Sequence, residues 1–427
     1  MKEQNDVAER DFSGVTLFGD PDTFLEAWDA FSIALDTSSE KIRKRSAPPD
    51  GRTRREVPLS TSDVARIFDL SPQMIRVIDD ELGLTDREAG QVRNYYSHHV
   101  FAIRRHRGET LAPLEARPQV VAIANQKGGV GKTTTTINLA FDAATRGYRV
   151  LVVDMDPQAS ATASMLVDRG DGELVEGSNL GLEDTQTIGP QLLGLGTPIQ
   201  QQIRRTHWQT IDIIPSSPNL VEAEFALIEE FANSRLEQRT ARFWQGMSQA
   251  LQSLTTEEYD LVLVDTAPTM SLSTVATLLA ADGLLIPCPM RNLDVESLRS
   301  FASTSLGWLT TLRENGFTSP LKWMRVMPTQ RQGTRTEELN QLTIRHAIGG
   351  GLLAEEVPKL EAIQRAAGGG SSVFELQPKN MASATRAAGA ARKRIRAAND
   401  DIFMAIQASA ATMFQPTLSL NEVEDHG

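Results

Sequence analysis

A glycine-rich segment with a lysine at each end is the feature that most constrains this chain. Residues 127–132 read KGGVGK, follow the apolar run VVAIA (120–124) and precede a predicted helix. Glycines let backbone N–H groups wrap around phosphate oxygens, and the N-terminus of the next helix favours negative charge. The order of strand, glycine-rich loop and helix predicts a phosphate-binding loop within an α/β domain.

The residues of this loop have distinct predicted roles. Lys132 is expected to reach the β- and γ-phosphates of a nucleotide, and the Thr133 hydroxyl is expected to bind Mg²⁺. Lys127 has no obvious route back to the phosphates of its own loop. It is therefore predicted to reach the nucleotide of a second molecule, as an arginine finger does in trans. The predicted nucleotide ligands are Gly128, Gly129, Val130, Gly131, Lys132, Thr133 and Thr134.

Acidic residues end two later apolar runs. The run VLVVDMD contains Asp154 and Asp156, and YDLVLVD ends at Asp265. In parallel sheets, ligands bind where the carboxyl ends of the strands meet. Asp154 and Asp265 are predicted to support Mg²⁺, and Asp156 is predicted to position the attacking water. The segments together predict metal-assisted phosphoryl transfer.

Continuous apolar runs alternate with helical stretches from residue 119 onward. Such runs are typical of a parallel sheet buried on both faces. They are residues 120–124, 149–154, 210–215, 259–265, 283–288 and 323–328. The predicted fold class is a mostly parallel α/β P-loop NTPase domain at 118–415, followed by an acidic tail at 416–427.

A predicted helix pair lies ahead of this domain. Ser71 and Pro72 are expected to begin its second helix, and Thr61 or Ser62 its first. The second helix is predicted to expose Gln73, Arg76 and Asp79 for the major groove. The unit, residues 58–112, resembles the winged helix-turn-helix of MerR-like regulators. Residues 1–57 are predicted to hold an amphipathic helix (22–36) and a basic linker.

Net charge and composition limit the kinds of partner that the chain is expected to bind. The 427 residues carry a net charge of −12, so any nucleic-acid contact must come from local basic patches. One such patch on a predicted helix comprises Arg386, Arg392, Lys393, Arg394 and Arg396. A single cysteine excludes a disulfide within the chain. No apolar stretch is long enough to span a membrane, so a cytoplasmic protein is expected.

The KGGVGKT loop and the DMDPQ segment resemble those of the ParA/MinD class of dimerising ATPases. The resemblance to ParA-type partition ATPases covers about residues 57–412 and includes the N-terminal helix-turn-helix of the long, plasmid-encoded subtype. It implies an ATP-sandwich homodimer with catalytic residues Lys127, Lys132 and Asp156. It also implies ATP/ADP and Mg²⁺ as cofactors, with adenine near Pro289, Met327 and Pro328.

The same resemblance implies the biological partners. These are non-specific nucleoid DNA, a ParB-type centromere-binding protein that stimulates weak hydrolysis, and operator DNA of the protein's own operon. An alternative reading is a repressor whose operator affinity is tuned by ATP or ADP, with hydrolysis secondary. A MinD-like membrane cycle is disfavoured by the acidic C-terminal segment, and an iron–sulfur reductase by the single Cys288.

Overall fold

The computed structural model describes eight segments of the chain. They are residues 56–85, 92–111, 117–166, 186–237, 242–314, 320–368, 370–376 and 382–412. The predicted helix at 22–36 and the acidic tail at 416–427 lie outside these segments.

A seven-stranded sheet forms the centre of the molecule. Its strands are β1 Gln119–Ile123, β2 Val150–Met155, β3 Arg204–Arg205, β4 Ile211–Ile214, β5 Leu261–Thr266, β6 Gly283–Cys288 and β7 Trp323–Pro328. They lie in the order β3-β4-β2-β5-β1-β6-β7. Only the β3–β4 pair is antiparallel. The predicted mostly parallel sheet is thus confirmed, and all six apolar runs are strands.

Helices precede the sheet and cover both of its faces. Those of the N-terminal segment are α1 Thr61–Ile67, α2 Pro72–Leu82 and α3 Ser97–His106. Those of the α/β domain are α4 Lys132–Thr145, α5 Ser160–Met165, α6 Gly189–Leu192, α7 Leu220–Leu236, α8 Gln245–Gln252, α9 Leu272–Ala280, α10 Asn292–Glu314, α11 Arg335–Ile348, α12 Glu361–Gly368 and α13 Ala382–Thr412. None of the described helices is long and apolar enough to cross a membrane.

The two faces of the sheet have separate apolar cores. Side chains alternate along a strand, so Val120 and Ala122 enter one core while Val121 and Ile123 enter the other. The first core receives α7, α8, α9 and α10. The second receives α4, α12 and α13. The phosphate-binding loop is therefore held between two packed layers at the carboxyl edge of the central strands.

The N-terminal helices form a small unit with its own core, which includes Val64 and Ile75. Ser71 caps α2 through its side chain, and Pro72 is the first residue of that helix, as predicted. The cap of α1 is Ser60, not Thr61 or Ser62. Ser60 and Asp63 form a reciprocal capping box, which satisfies N–H groups at the start of the helix that would otherwise have no partner.

Asp79 was expected on the exposed face of α2, and this expectation is wrong. Its side chain is buried and accepts hydrogen bonds from the Thr85 hydroxyl, the Tyr95 hydroxyl and the Arg93 guanidinium. Burial alone would raise the pKa of Asp79, but these donors outweigh it and hold the pKa below its usual value. Asp79 therefore fastens α2 to the segment that leads into α3.

The N-terminal unit packs directly against the end of the helix that follows the glycine-rich loop. Arg104 on α3 donates through Nε to the Arg146 carbonyl at 2.8 Å. Gly147 has φ +82°, and a Cβ there would lie 2.7 Å from the Val100 carbonyl oxygen. Only glycine allows this approach. The N-terminal unit is thus connected, through α3, to the far end of α4.

Candidate active site

The glycine-rich loop between β1 and α4 has its carbonyl groups fixed by side chains that follow β7. The Thr329 hydroxyl donates to the Val130 carbonyl at 2.8 Å, and Gln330 Nε2 donates to the Gly129 carbonyl at 2.6 Å. Gly129 and Gly131 have φ of +70° and +98°, which favour glycine. No side chain caps the start of α4. Its first N–H groups therefore suit an anionic ligand.

Lys132 lies at the base of the loop with only 7% of its surface exposed. Its Nζ donates to the Lys127 carbonyl at 3.2 Å. Burial lowers the pKa of Lys132, and the carboxylates of Asp265 and Asp156 oppose this effect. The ammonium group is thus largely removed from water. Its attraction for a phosphate is stronger in this environment than in water.

Asp265 is the penultimate residue of β5, beside α4, and one of its carboxylate oxygens has no partner among the described residues. Its Oδ1 accepts from the Thr136 hydroxyl at 3.1 Å. Among the described residues, no hydrogen-bond donor reaches its buried Oδ2. Burial, and then the nearby charge of Asp154, raise the pKa of Asp265, while the hydroxyls of Thr133 and Thr136 oppose this. A divalent cation here would satisfy the unpaired oxygen and neutralise the two carboxylates.

Asp154 is the register partner of Asp265 on the neighbouring strand, but its oxygens have other partners. Its Oδ2 accepts from the backbone N–H of Thr162 at 2.8 Å and from the Thr162 hydroxyl at 2.7 Å. Its Oδ1 accepts from the Asp156 N–H at 3.1 Å. Asp154 therefore holds the loop of Asp156 and the start of α5. The predicted contact of Asp154 with magnesium gains no support from this arrangement.

Asp156 stands beyond the end of β2 and is half-buried. Its Oδ1 accepts from the Gln158 N–H at 3.0 Å, which shapes the turn before α5. Ala159, the last residue of that turn, has φ +52° although it is not glycine. Such strained positions are common where a loop must hold one particular geometry. The carboxylate of Asp156 is close enough to Lys132 to oppose the fall of its pKa.

Lys127 is bound to a carboxylate on α10. Its Nζ lies 2.6 Å from Asp294 Oδ1, and the Asp294 side chain is fully buried. Arg291 holds the other oxygen of Asp294. Burial would raise the pKa of Asp294, but hydrogen bonds from Arg291 and Lys127 outweigh it and lower the pKa. One third of the Lys127 side chain remains exposed, so the amine is held at the rim of the site.

The predicted adenine contacts need correction. Pro289, Met327 and Pro328 are all buried, so none presents an open surface to a base. Within this segment, Gln330 keeps part of its surface exposed and contacts the loop. Apolar residues at the end of a buried strand often pack in the core. The sequence alone does not distinguish such residues from residues that contact a ligand.

The predicted DNA-binding residues divide into two groups. On α2, Gln73 and Arg76 are exposed, as are Arg386, Lys393 and Arg394 on α13. Arg392 instead donates through Nε to the Val373 carbonyl at 2.8 Å. Arg396 Nε lies 3.2 Å from Asp142 Oδ1. The expectation of a five-residue basic cluster is thereby corrected to three exposed cations, because the other two join α13 to neighbouring segments.

Sequence reasoning missed several residues of the site. Asp294 was not identified, although it follows β6 by only six residues at the ligand-binding edge of the sheet. Thr329 and Gln330 lie in the segment 327–330, which was expected near adenine, but their hydrogen bonds to the loop were not foreseen. Thr162 gave no signal, because its role depends on the folding of α5 back towards β2.

Comparisons with known proteins identify relatives of this chain. A family model described as an AAA domain matches residues 118–311. The chromosome-partitioning ATPase Soj of Thermus thermophilus is 33% identical over 225 residues, which cover 52% of this chain and 72% of Soj. The chromosome partitioning protein ParA of Myxococcus xanthus is 35% identical over 189 residues, covering 44% of this chain and 57% of ParA. A solved structure described as a partition protein has a TM-score of 0.57 at 19% identity, covering 89% of this chain and 98% of that one, and shows the shared fold.

Proposed function

The chain belongs to the ParA-type partition ATPases, and from this membership we propose that it segregates a replicon by an ATP-driven cycle. In this proposal ATP closes a sandwich homodimer that binds nucleoid DNA without sequence preference. A ParB-type centromere-binding partner stimulates the weak, Mg²⁺-dependent hydrolysis and releases the protein from DNA. The N-terminal helix pair represses the protein's own operon.

Each part of the loop has a role in this hydrolysis. The N–H groups at the start of α4 and the Lys132 ammonium hold the phosphates. Thr133 and Asp265 would hold Mg²⁺, which when bound neutralises charge on the transferred phosphoryl group. Asp156 accepts a hydrogen bond from the attacking water and orients it.

The observation that carries the sandwich dimer is the position of Lys127. Its amine contacts Asp294 at the rim, while Lys132 occupies the base of the loop. If a second molecule faced this rim, the partly exposed amine of Lys127 would lie towards the nucleotide of that second molecule. Stabilising transition-state charge from outside is the action of an arginine finger.

The three exposed cations of α13 are the proposed contact with nucleoid DNA. We expect the combined change of Arg386, Lys393 and Arg394 to Ala to reduce the magnitude of the negative slope of log affinity against log salt by about 2–3, because each phosphate contact contributes about 0.9. Binding to a random fragment with ATP, titrated at several salt concentrations, measures this. The exposed Arg299→Ala on α10 is the control and should keep the wild-type slope. An unchanged slope in the triple variant would remove α13 from the interface.

Binding to two DNA fragments tests the whole proposal. One fragment has random sequence, the other is the region upstream of the protein's own coding sequence, and each is titrated with ATP and with ADP at one salt concentration. We expect tight binding to the random fragment only with ATP, and upstream-specific binding with ADP. Equal affinity for random DNA under both nucleotides would contradict the partition cycle, since a cycle requires two affinities.

A second candidate function is a repressor tuned by nucleotide, with hydrolysis secondary. The contact of Arg104 on α3 with the Arg146 carbonyl favours it, because this contact joins the N-terminal unit to the helix that begins at the loop. In the same experiment, this function predicts upstream-specific binding under both nucleotides and no affinity for random DNA that depends on ATP.

A further inference from the structure

A buried carboxylate lies near the far end of the helix that begins at the phosphate-binding loop. Asp142 on α4 has no exposed surface, and the proposed hydrolysis does not use it. Its Oδ2 accepts hydrogen bonds from Arg146 at 2.8 Å and from Asn399 at 3.0 Å, and its Oδ1 accepts one from Arg396 Nε at 3.2 Å. Asn399 and Arg396 belong to α13. This carboxylate therefore joins the end of α4 to the helix that carries the cations proposed to bind nucleoid DNA.

Arg146, which follows α4, extends this joint to the N-terminal unit. Its carbonyl accepts the hydrogen bond from Arg104 on α3 at 2.8 Å. Its guanidinium also reaches α13, where it lies 2.8 Å from Asp400 Oδ1 and 4.6 Å from the centre of the Phe403 ring. Burial would lower the pKa of Arg146, but Asp142 and Asp400 outweigh this effect and raise the pKa. The end of α4 thus contacts both parts of the chain that are proposed to bind DNA.

A buried ion network of this kind is weak evidence for stability. Taking charges out of water is costly, and well-packed apolar side chains in place of a buried ion pair are often as stable or more stable. Asp282 is an equally buried carboxylate with a different position. It holds Arg117 and the Val120 N–H at the amino edge of the sheet, where β1 and β6 begin. Asp282 therefore joins two neighbouring strands, whereas Asp142 joins the nucleotide-binding helix to two other parts of the chain.

Helix α4 connects the phosphate-binding loop with this joint. Lys132 is its first residue, and Asp142 lies about 15 Å further along the helix axis at 1.5 Å per residue. Every residue from Thr135 to Thr145 is buried. Close-packed elements of this kind transmit small displacements instead of absorbing them. A shift of the first turn of α4 on binding phosphate would therefore move Asp142 with it.

We propose that Asp142 is a positioning residue that couples the nucleotide at the start of α4 to both DNA-binding parts of the chain. One branch runs through Arg396 to α13. The other runs through the carbonyl of Arg146 and Arg104 to the N-terminal unit. This inference rests on the proposed function, because it assigns the residues through which ATP and ADP change the affinity for DNA. Coupling between two sites typically changes affinity by about 5–150-fold.

Asp142→Asn tests the joint in the full chain, with a random DNA fragment titrated at one salt concentration with ATP and with ADP. Asn keeps the shape of the side chain but loses the charge that holds Arg146 and Arg396. We expect the ratio of the two affinities to fall at least about fivefold, the lower end of typical coupling. Nucleotide titration should give the wild-type affinity for ATP. Asp282→Asn is the matched control and should keep the wild-type ratio.

Two further variants separate the branches and also test the proposal if Asp142→Asn fails to fold. Met keeps the apolar stem of arginine and removes its donors. Arg396→Met should lower the ratio for random DNA, yet give the wild-type nuclease footprint on the upstream fragment with ADP. Arg104→Met should keep the ratio for random DNA, while its footprint no longer depends on the nucleotide. A role in folding alone would lower the thermal stability of both variants without this exchange of effects.

The salt dependence of Arg396→Met distinguishes coupling from a direct contact with DNA. Because its guanidinium holds Asp142, the slope of log affinity against log salt with ATP should stay as in the wild type. A slope reduced in magnitude by about 0.9 would instead make Arg396 a phosphate contact and remove it from the joint.

Several outcomes would overturn the joint. They are a wild-type ratio in folded Asp142→Asn, an equal loss of the ratio in Asp282→Asn, or the same pattern of loss in Arg396→Met and Arg104→Met. The proposed function fails separately. If the wild type binds random DNA equally with ATP and with ADP, the cycle is contradicted before any variant is compared. If the wild type shows the difference and Asp142→Asn retains it, only the joint is wrong.

Discussion

Lys127→Ala is expected to bind ATP as wild type does but to lose partner-stimulated hydrolysis by about 10³-fold or more, the effect of removing an arginine finger. ATP binding should survive because Lys132 and the loop N–H groups remain in place. Stimulated turnover should fail because the charge supplied to the neighbouring nucleotide is gone. Nucleotide titration and phosphate release with the stimulating partner measure the two effects. Normal stimulated turnover in this variant would remove the trans role of Lys127.

The ion pair with Asp294 provides a control for this result. Lys127 holds a buried carboxylate, so the alanine variant also leaves Asp294 with one fewer donor. Asp294→Asn removes the ion pair but keeps Lys127. If Lys127 acts in trans, Asp294→Asn should retain stimulated hydrolysis. If Asp294→Asn is as inactive as Lys127→Ala, the lysine acts through its own chain.

Mixing two inactive variants distinguishes action in trans from action in cis. In a mixed dimer of Lys127→Ala and Asp156→Ala, one site keeps its own Asp156 and faces the intact Lys127 of the other subunit. An equal mixture should recover about a quarter of the wild-type rate, because about half of the dimers are mixed and each has one complete site. A lysine acting in cis would leave every site incomplete and restore nothing.

The sequence predicted the sheet well because its signal is local. Each buried strand is a continuous apolar run, and the glycine-rich loop lies between one such run and a helix. Strand β3 was missed, since Arg204–Arg205 is too short for periodicity to show. Ser71 and Pro72 were predicted for the same local reason, and the observed cap of α1 at Ser60 lies one residue before Thr61 and two before Ser62.

The contacts of the site depended on long-range packing and were harder to predict. Lys127 and Asp294 are far apart in the sequence, and only the adjacency of β1 and β6 brings them together. Arg392 and Arg396 look like any exposed basic residues until α13 packs on Val373 and Asp142. Charge patterns in a sequence show which residues are basic, and the fold decides which of them face solvent.

The two carboxylates of the segment DMDPQ should respond differently to replacement by alanine. Asp156→Ala is expected to bind ATP and random DNA but to hydrolyse ATP about 10²–10³ times more slowly, because the residue that orients the attacking water is lost. Its folding stability should change by less than about 0.5 kcal/mol, since the side chain is partly exposed and accepts a single backbone hydrogen bond. Phosphate release and chemical denaturation measure the two quantities.

Asp154→Ala should instead reduce the free energy of unfolding by about 2 kcal/mol, because it leaves two buried donors of Thr162 and the half-buried N–H of Asp156 unpaired. Its hydrolysis should also fall, since the loop of Asp156 loses its support. The conservative Asp154→Asn keeps an acceptor for some of these donors and should recover part of the stability. If Asp154→Ala unfolds as wild type does and yet requires much more Mg²⁺ for hydrolysis, Asp154 acts at the metal, as the sequence predicted.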